Sequence, residues 1–155
     1  MAIFSPYVKI IKKLESINEA MEIKTIVLCE SATRHPDGTF SLLRGGIDNW
    51  MAQQFPVAIP FTFVVTIELS LSETDQTHAA GLDIVDEDGN RLVPQAKIQF
   101  STPKVAHLTK FKNNIMGTIN LSVPKPGRYS MDVSVDGVQL ASYEFQVIQA
   151  PVQAK

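Results

Sequence analysis

The sequence predicts an all-β protein: an antiparallel, immunoglobulin-like β-sandwich of about eight strands, preceded by one short N-terminal amphipathic α-helix. Three observations carry this. From Ile23 onward the apolar residues recur with period two. Clusters of Gly, Pro, Asp and Asn break those runs at roughly ten-residue intervals, the punctuation of hairpins. Helical spacing is confined to residues 6–21, so nothing between the strands supplies the crossovers of a parallel sheet. A closed barrel is the competing architecture.

In chain order, Ser5 can cap a first turn and Pro6 sits where a helix tolerates proline best. Tyr7, Ile10, Leu14, Ile17 and Met21 then follow the three-four spacing of one apolar face, with Ile11 beside it. A helix this short is marginal alone in water, so that face must dock on a surface. Residues 23–30 read as a mostly apolar strand, and His35-Pro36-Asp37-Gly38 as the turn into a short strand over 39–43. Gly45-Gly46 reads as a corner that permits positive φ or a bulge before Trp50. Over 60–71, Phe61, Phe63, Val65, Ile67, Leu69 and Leu71 alternate with mostly polar neighbours, the mark of a strand with one buried face.

Leu82 and Ile84 lead into the turn Asp86-Glu87-Asp88-Gly89, and Leu92, Ile98 and Phe100 lead out. Pro94 delays or bulges the outgoing strand and Pro103 ends it. Ile115, Ile119, Leu121 and Val123 mark the next strand, before Pro124-Lys125-Pro126-Gly127 turns the chain. Tyr129, Met131, Val133 and Val135 alternate up to Asp136-Gly137, a pair suited to a type I′ turn. The return through Val138, Leu140, Tyr143, Phe145 and Val147 changes parity, which a bulge near Ala141-Ser142 repairs. The organisation expected is a helix over 1–22, a β-sandwich domain over 23–149 and a flexible tail over 150–155.

Composition narrows function. A chain of 155 residues with 45% hydrophobic and 19% charged residues is long enough for one sizeable core. Its 14 basic and 16 acidic residues give a net charge of -2, and no Lys/Arg stripe marks a nucleic-acid surface. Cys29 is the only cysteine, so a disulfide within one chain is excluded. No secretory signal pattern or membrane-length apolar run is present, and a cytoplasmic protein is expected, with neither membrane nor nucleic-acid partners.

Candidate chemistry is sparse. Cys29 lies in an apolar strand, where a thiol is usually an inert small hydrophobe. His35, His78 and His107 are isolated in or beside expected loops and read as surface residues. Asp83, Asp86, Glu87 and Asp88 suggest calcium, but Ile84 occupies the first ligand position of an EF-hand loop. No catalytic residue, metal or cofactor is therefore expected.

The turn and strand residues resemble those of a family of short, uncharacterised bacterial proteins, a domain of unknown function. The likeness runs from about Met21 to Val147. It rests on Asp37-Gly38, Leu43 with Gly45-Gly46-Ile47, Phe55-Pro56, the 86–89 hairpin, Pro126-Gly127-Arg128-Tyr129 and Val135-Asp136-Gly137. It implies a fold and carries no activity.

Together these readings predict a non-catalytic protein-interaction or self-assembly module. Its contacts would be strand edges and the helix face of Tyr7, Ile10, Ile11, Leu14, Ile17 and Met21, toward a protein partner or copies of itself. The alternative is a small-molecule or carbohydrate-binding sandwich using Trp50 with Arg44, Asp48 and Asn49, because an indole face is costly to expose without a partner.

Overall fold

The computed structural model describes residues 21–151. The helix expected over 1–22 therefore lies outside the described residues except at its end, as do Tyr7, Ile10, Ile11, Leu14 and Ile17 and the last four residues of the tail. Met21 corrects the reading: it opens a strand and pairs with Leu69, so period two begins two residues before Ile23.

Ten strands are described: β1 (Met21–Cys29), β2 (Ser31–Arg34), β3 (Phe40–Leu43), β4 (Asn49–Ala52), β5 (Val57–Ser70), β6 (Thr77–Asp86), β7 (Ala96–Ser101), β8 (Lys110–Val123), β9 (Gly127–Val135) and β10 (Val138–Gln149). One 3₁₀ turn, Leu71–Glu73, links β5 to β6. Among the described residues no helix is long and apolar enough to cross a membrane. The strands form a three-stranded sheet in the order β1-β5-β8, a five-stranded sheet in the order β4-β10-β9-β6-β7, and the β2/β3 hairpin.

One core lies between the two larger sheets. Leu28, Phe61, Phe63, Val65, Ile67, Leu69, Ile115 and Leu121 from the first join Leu82, Ile84, Met131, Val133, Phe145 and Val147 from the second. These side chains are almost fully buried. Each removes apolar surface worth about 1.5–3 kcal/mol from water, which is what holds the sheets together against chain entropy. Phe61 and Phe145 meet across the core with ring centroids 5.1 Å apart.

Three features depart from the strand pattern. β5 is buried on both faces over most of its length, because Thr62, Val64 and Thr66 are covered as well. Strand β2 packs against β5. On that face Thr62 shares a hydrogen bond with Thr118 at 2.9 Å, and Thr66 donates to Asn114 at 2.7 Å. Leu71, expected inside, is exposed, since the 3₁₀ turn ends the alternation at Ser70. Strand β4 runs parallel to β10, so the architecture is not wholly antiparallel.

The Gly45-Gly46 corner makes that parallel pairing possible. Arg44 and Gly46 take φ of 49° and 89°, a left-handed backbone that glycine adopts without a Cβ clash. The amides of Gly46 and Ile47 both donate to the Leu28 carbonyl, at 2.9 and 3.0 Å, which pins the corner to the end of β1. From there the chain crosses to the five-stranded sheet.

The last hairpin follows its sequence closely. Asp136 and Gly137 have φ of 50° and 82°, as a type I′ turn requires. The register shift in β10 falls between Gln139 and Ala141, so Leu140 is the bulged residue, one position before the expected site. Pro94 delays the outgoing strand, which starts at Ala96. Ala150, assigned to the loose tail, donates its amide to the Ala52 carbonyl at 2.8 Å.

Candidate functional site

The four residues around the corner do not converge on one site: only Asp48 and Asn49 bond to each other. Arg44 is exposed and pairs with Glu30 at 3.3 Å. Asp48 accepts the Asn49 side-chain amide at 2.7 Å, while its carbonyl accepts the Gln146 amide at 2.9 Å and so fixes β4 beside β10. Trp50 is half-buried in β4, with its ring 5.7 Å from Phe61 and 5.4 Å from Phe145 in an edge contact. The indole extends the aromatic core contact between the sheets. Tyr143 donates from its hydroxyl to the Ile47 carbonyl at 3.1 Å, holding the same corner from β10.

Cys29 is buried, and burial raises its thiol above the ordinary range, so it stays protonated and unreactive at neutral pH. His35 shares a hydrogen bond with Ser41 at 2.8 Å across the β2/β3 hairpin. His107 stands in the loop before β8 with φ of 70°.

His78 is not the surface residue its sequence suggested. It lies in β6 and is only 4% exposed. Its Nδ1 is 2.7 Å from the Asp136 carboxylate and its Nε2 2.7 Å from the Glu73 carbonyl. The ring leans on Phe100 with centroids 5.5 Å apart. Both nitrogens are committed within the fold, leaving none to pass a proton to a ligand. The signal was present in the sequence: His78 shares parity with Ala80, Leu82 and Ile84, the buried face of β6.

The acidic hairpin is held by its own turn. Asp86 accepts the backbone amides of Asp88 and Asn90, both at 2.9 Å, and Glu87 accepts the Arg128 amide at 3.1 Å. Asp83 faces Asp132 across the β6/β9 ladder, and each is offset separately. Arg91 lies 2.7 Å from Asp83, and Ser142 donates to Asp132 at 2.7 Å. Among the described residues no three His, Cys, Asp or Glu side chains gather as a metal set.

Three carboxylates contribute to the acid limb of stability. The Thr39 hydroxyl and amide hold Asp37 below its usual value of 3.8. The Asn90 amide does the same for Asp86, and the Lys110 ammonium holds Glu68 below 4.5. A carboxylate with a depressed folded-state pKa stabilises above its unfolded value and loses that contribution as pH falls through the folded one. The unfolding midpoint should therefore drop below pH 4 in wild type, and drop less steeply in the Asp37→Asn, Asp86→Asn double variant when thermal melts are followed by circular dichroism.

Strand β8 lies at the edge of its sheet. Within the described residues β8 hydrogen-bonds to one neighbour, β5, over 14 residues from Lys110 to Val123. Sequence reading found only its apolar second half, because Lys110, Lys112, Asn113 and Asn114 masked the first. Asn114 proves to be a junction: it accepts from Thr66, donates to the Gly38 carbonyl at 2.9 Å and has its own carbonyl taken by Arg34. Asn113 donates to Thr102 at 3.0 Å. A shallow groove between β7 and β8 is lined by Ile98, Phe100, Ile115 and Met116 together with the polar Arg34, Gln99, Ser101, Asn113 and Asn114. Val105 and Leu108, on the loop that enters β8, are exposed.

No curated protein matches the chain. Among solved structures it is similar to Pseudomonas fluorescens alkylpurine DNA glycosylase AlkC bound to DNA containing an abasic site analog. That likeness is 16% identical, covers 87% of this chain and 32% of that one, and has a TM-score of 0.42. So low a score bears on neither architecture nor activity, and the chain spans 32% of the length of that protein. A family model matches residues 24–148, and the chain belongs to that family, a family of unknown function (DUF6941).

Proposed function

We propose that the protein is a non-catalytic interaction or self-assembly module, which joins copies of itself or a protein partner through strand edges and the apolar residues Tyr7, Ile10, Ile11, Leu14 and Ile17. The observation that carries this reading is the edge of β8. Strand β8 pairs with one described strand, and although Arg34 takes the Asn114 carbonyl in its first half, the stretch from Ile115 to Val123 can offer backbone donors and acceptors to an incoming strand. Exposed Val105 and Leu108 beside its start add apolar area to such a contact.

We further infer an immunoglobulin-like sandwich, and strand order supports it. The sequence β1-β5-β8 corresponds to strands A, B and E, and β6-β9-β10 to C, F and G. Tyr129 donates from its hydroxyl to the Lys125 carbonyl at 2.5 Å, the upstream backbone bond of a tyrosine corner at the start of strand F. In this scheme strand D would continue the sheet beyond β8, and an added strand would take its place.

Charging the edge tests the assignment. Asn120 and Ser122 are exposed on β8. The Asn120→Lys, Ser122→Lys double variant should leave the melting temperature unchanged and weaken association about tenfold or more in analytical ultracentrifugation. Association equal to wild type would remove β8 from the contact surface.

A further inference from the structure

His78 carries a consequence beyond packing. Both of its ring nitrogens face oxygens that can only accept when Asp136 is ionised: the Asp136 carboxylate at Nδ1 and the Glu73 carbonyl at Nε2, each at 2.7 Å. A neutral imidazole has one N–H and one lone pair. Whichever tautomer it chose, it would set that lone pair against an acceptor in a site 4% exposed. With a proton on each nitrogen both contacts become charge-assisted donations.

We propose that His78 is held as an imidazolium clamp joining the Leu71–Glu73 turn and the β9/β10 hairpin to the start of β6, and that the clamp opens when the ring loses its second proton. Three elements meet there. The 3₁₀ turn supplies the Glu73 carbonyl and, 4.0 Å from Nε2, the Glu73 carboxylate. The hairpin supplies Asp136, whose second oxygen accepts the Ala79 amide at 2.9 Å, while the Asp136 amide donates to the Ala79 carbonyl at 2.9 Å. Strand β7 supplies uncharged Phe100. Asp75, on the same connection, is turned to the Lys104 amide and the Thr102 carbonyl. Among the described residues no cation pairs with this cluster, so both neighbouring charges favour the protonated ring.

Direction follows from the competing causes. Burial alone would lower the ring's pKa, but the Asp136 hydrogen bond and the Glu73 carbonyl outweigh it, and the value stands above 6.5. A raised folded-state pKa gives stabilisation that is complete below 6.5 and is lost as pH rises through the folded value. Asp136 is held below 3.8: burial opposes this, and the Ala79 amide and His78 override it. The clamp thus works between the titration of Asp136 below 3.8 and that of His78 above 6.5.

Nitrogen-15 NMR of the imidazoles in the full chain tests this directly. At pH 6.5 more than half of His78 should carry a proton on both ring nitrogens. As pH rises and the second proton leaves, exchange of the Ala79 and Asp136 amides should accelerate about tenfold relative to Val133. The Asp136→Asn variant should shift the ring's titration to lower pH. A His78 ring in one neutral tautomer at pH 6.5, amide protection that ignores the ring's titration, or an unchanged titration in Asp136→Asn would each overturn the clamp.

Discussion

Replacing Phe145 by alanine should cost about 3–5 kcal/mol of unfolding free energy. Phe145 is almost fully buried and is the hub of the aromatic contact between the sheets. Its ring lies 5.1 Å from Phe61, 5.4 Å from Trp50 and 5.8 Å from Tyr129. The cost has two parts, lost transfer of the ring from water and a cavity that the two packed sheets collapse only partly to fill. Urea denaturation should show it as a lower midpoint with an unchanged slope, and thermal melting as a fall of roughly 10 °C or more. In a double-mutant cycle with Phe61→Ala the two losses should couple by about 0.5–1.5 kcal/mol, because each ring is the other's packing partner. Additive losses would mean that the sheets are held by burial alone.

Much of this fold is legible in the sequence. Period two identified β5, β9 and β10, because a buried strand face must repeat every second residue. Asp136-Gly137 named its own turn, since few residues accept φ above zero at two successive positions. The parity change in β10 announced a bulge and misplaced it by one residue. Other features were hidden for physical reasons. Strands β2 and β4 each have four residues, too few to display a period, and β4 carries Asn49 and Trp50 where apolar alternation would be sought. The second buried face of β5 depends on a hairpin brought over it from elsewhere in the chain, which no local pattern records. Met21 fits a helical face by spacing, yet its backbone pairs with Leu69, and long-range pairing overrode the local signal.

The candidate residues divide in the same way. Arg44, Asp48, Asn49 and Trp50 were grouped because they are close in sequence. In the fold Arg44 turns to Glu30, Asp48 and Asn49 bond to each other, and Trp50 packs on Phe61 and Phe145. His78 was legible only by parity. Its partners Glu73 and Asp136 come from both sides in sequence, the latter 58 positions away, and sequence inspection has no means of pairing them.

The second large effect concerns association. If the apolar positions Tyr7, Ile10, Ile11, Leu14 and Ile17 form a contact surface, charging two of them should weaken binding strongly, because a carboxylate in an apolar contact loses its hydration and gains no partner. The Ile10→Asp, Leu14→Asp double variant is therefore expected to weaken association by about a hundredfold, some 2.7 kcal/mol. The melting temperature of the β domain should stay close to wild type.

The most direct measurement is light scattering coupled to size-exclusion chromatography on the full chain, wild type beside this double variant, over a range of concentrations. Self-assembly predicts a wild-type mass above that of a 17.1 kDa monomer, rising with concentration, and a variant that elutes as a folded monomer throughout. Two monomers of equal stability, neither of which retains a protein partner from lysate, would contradict it.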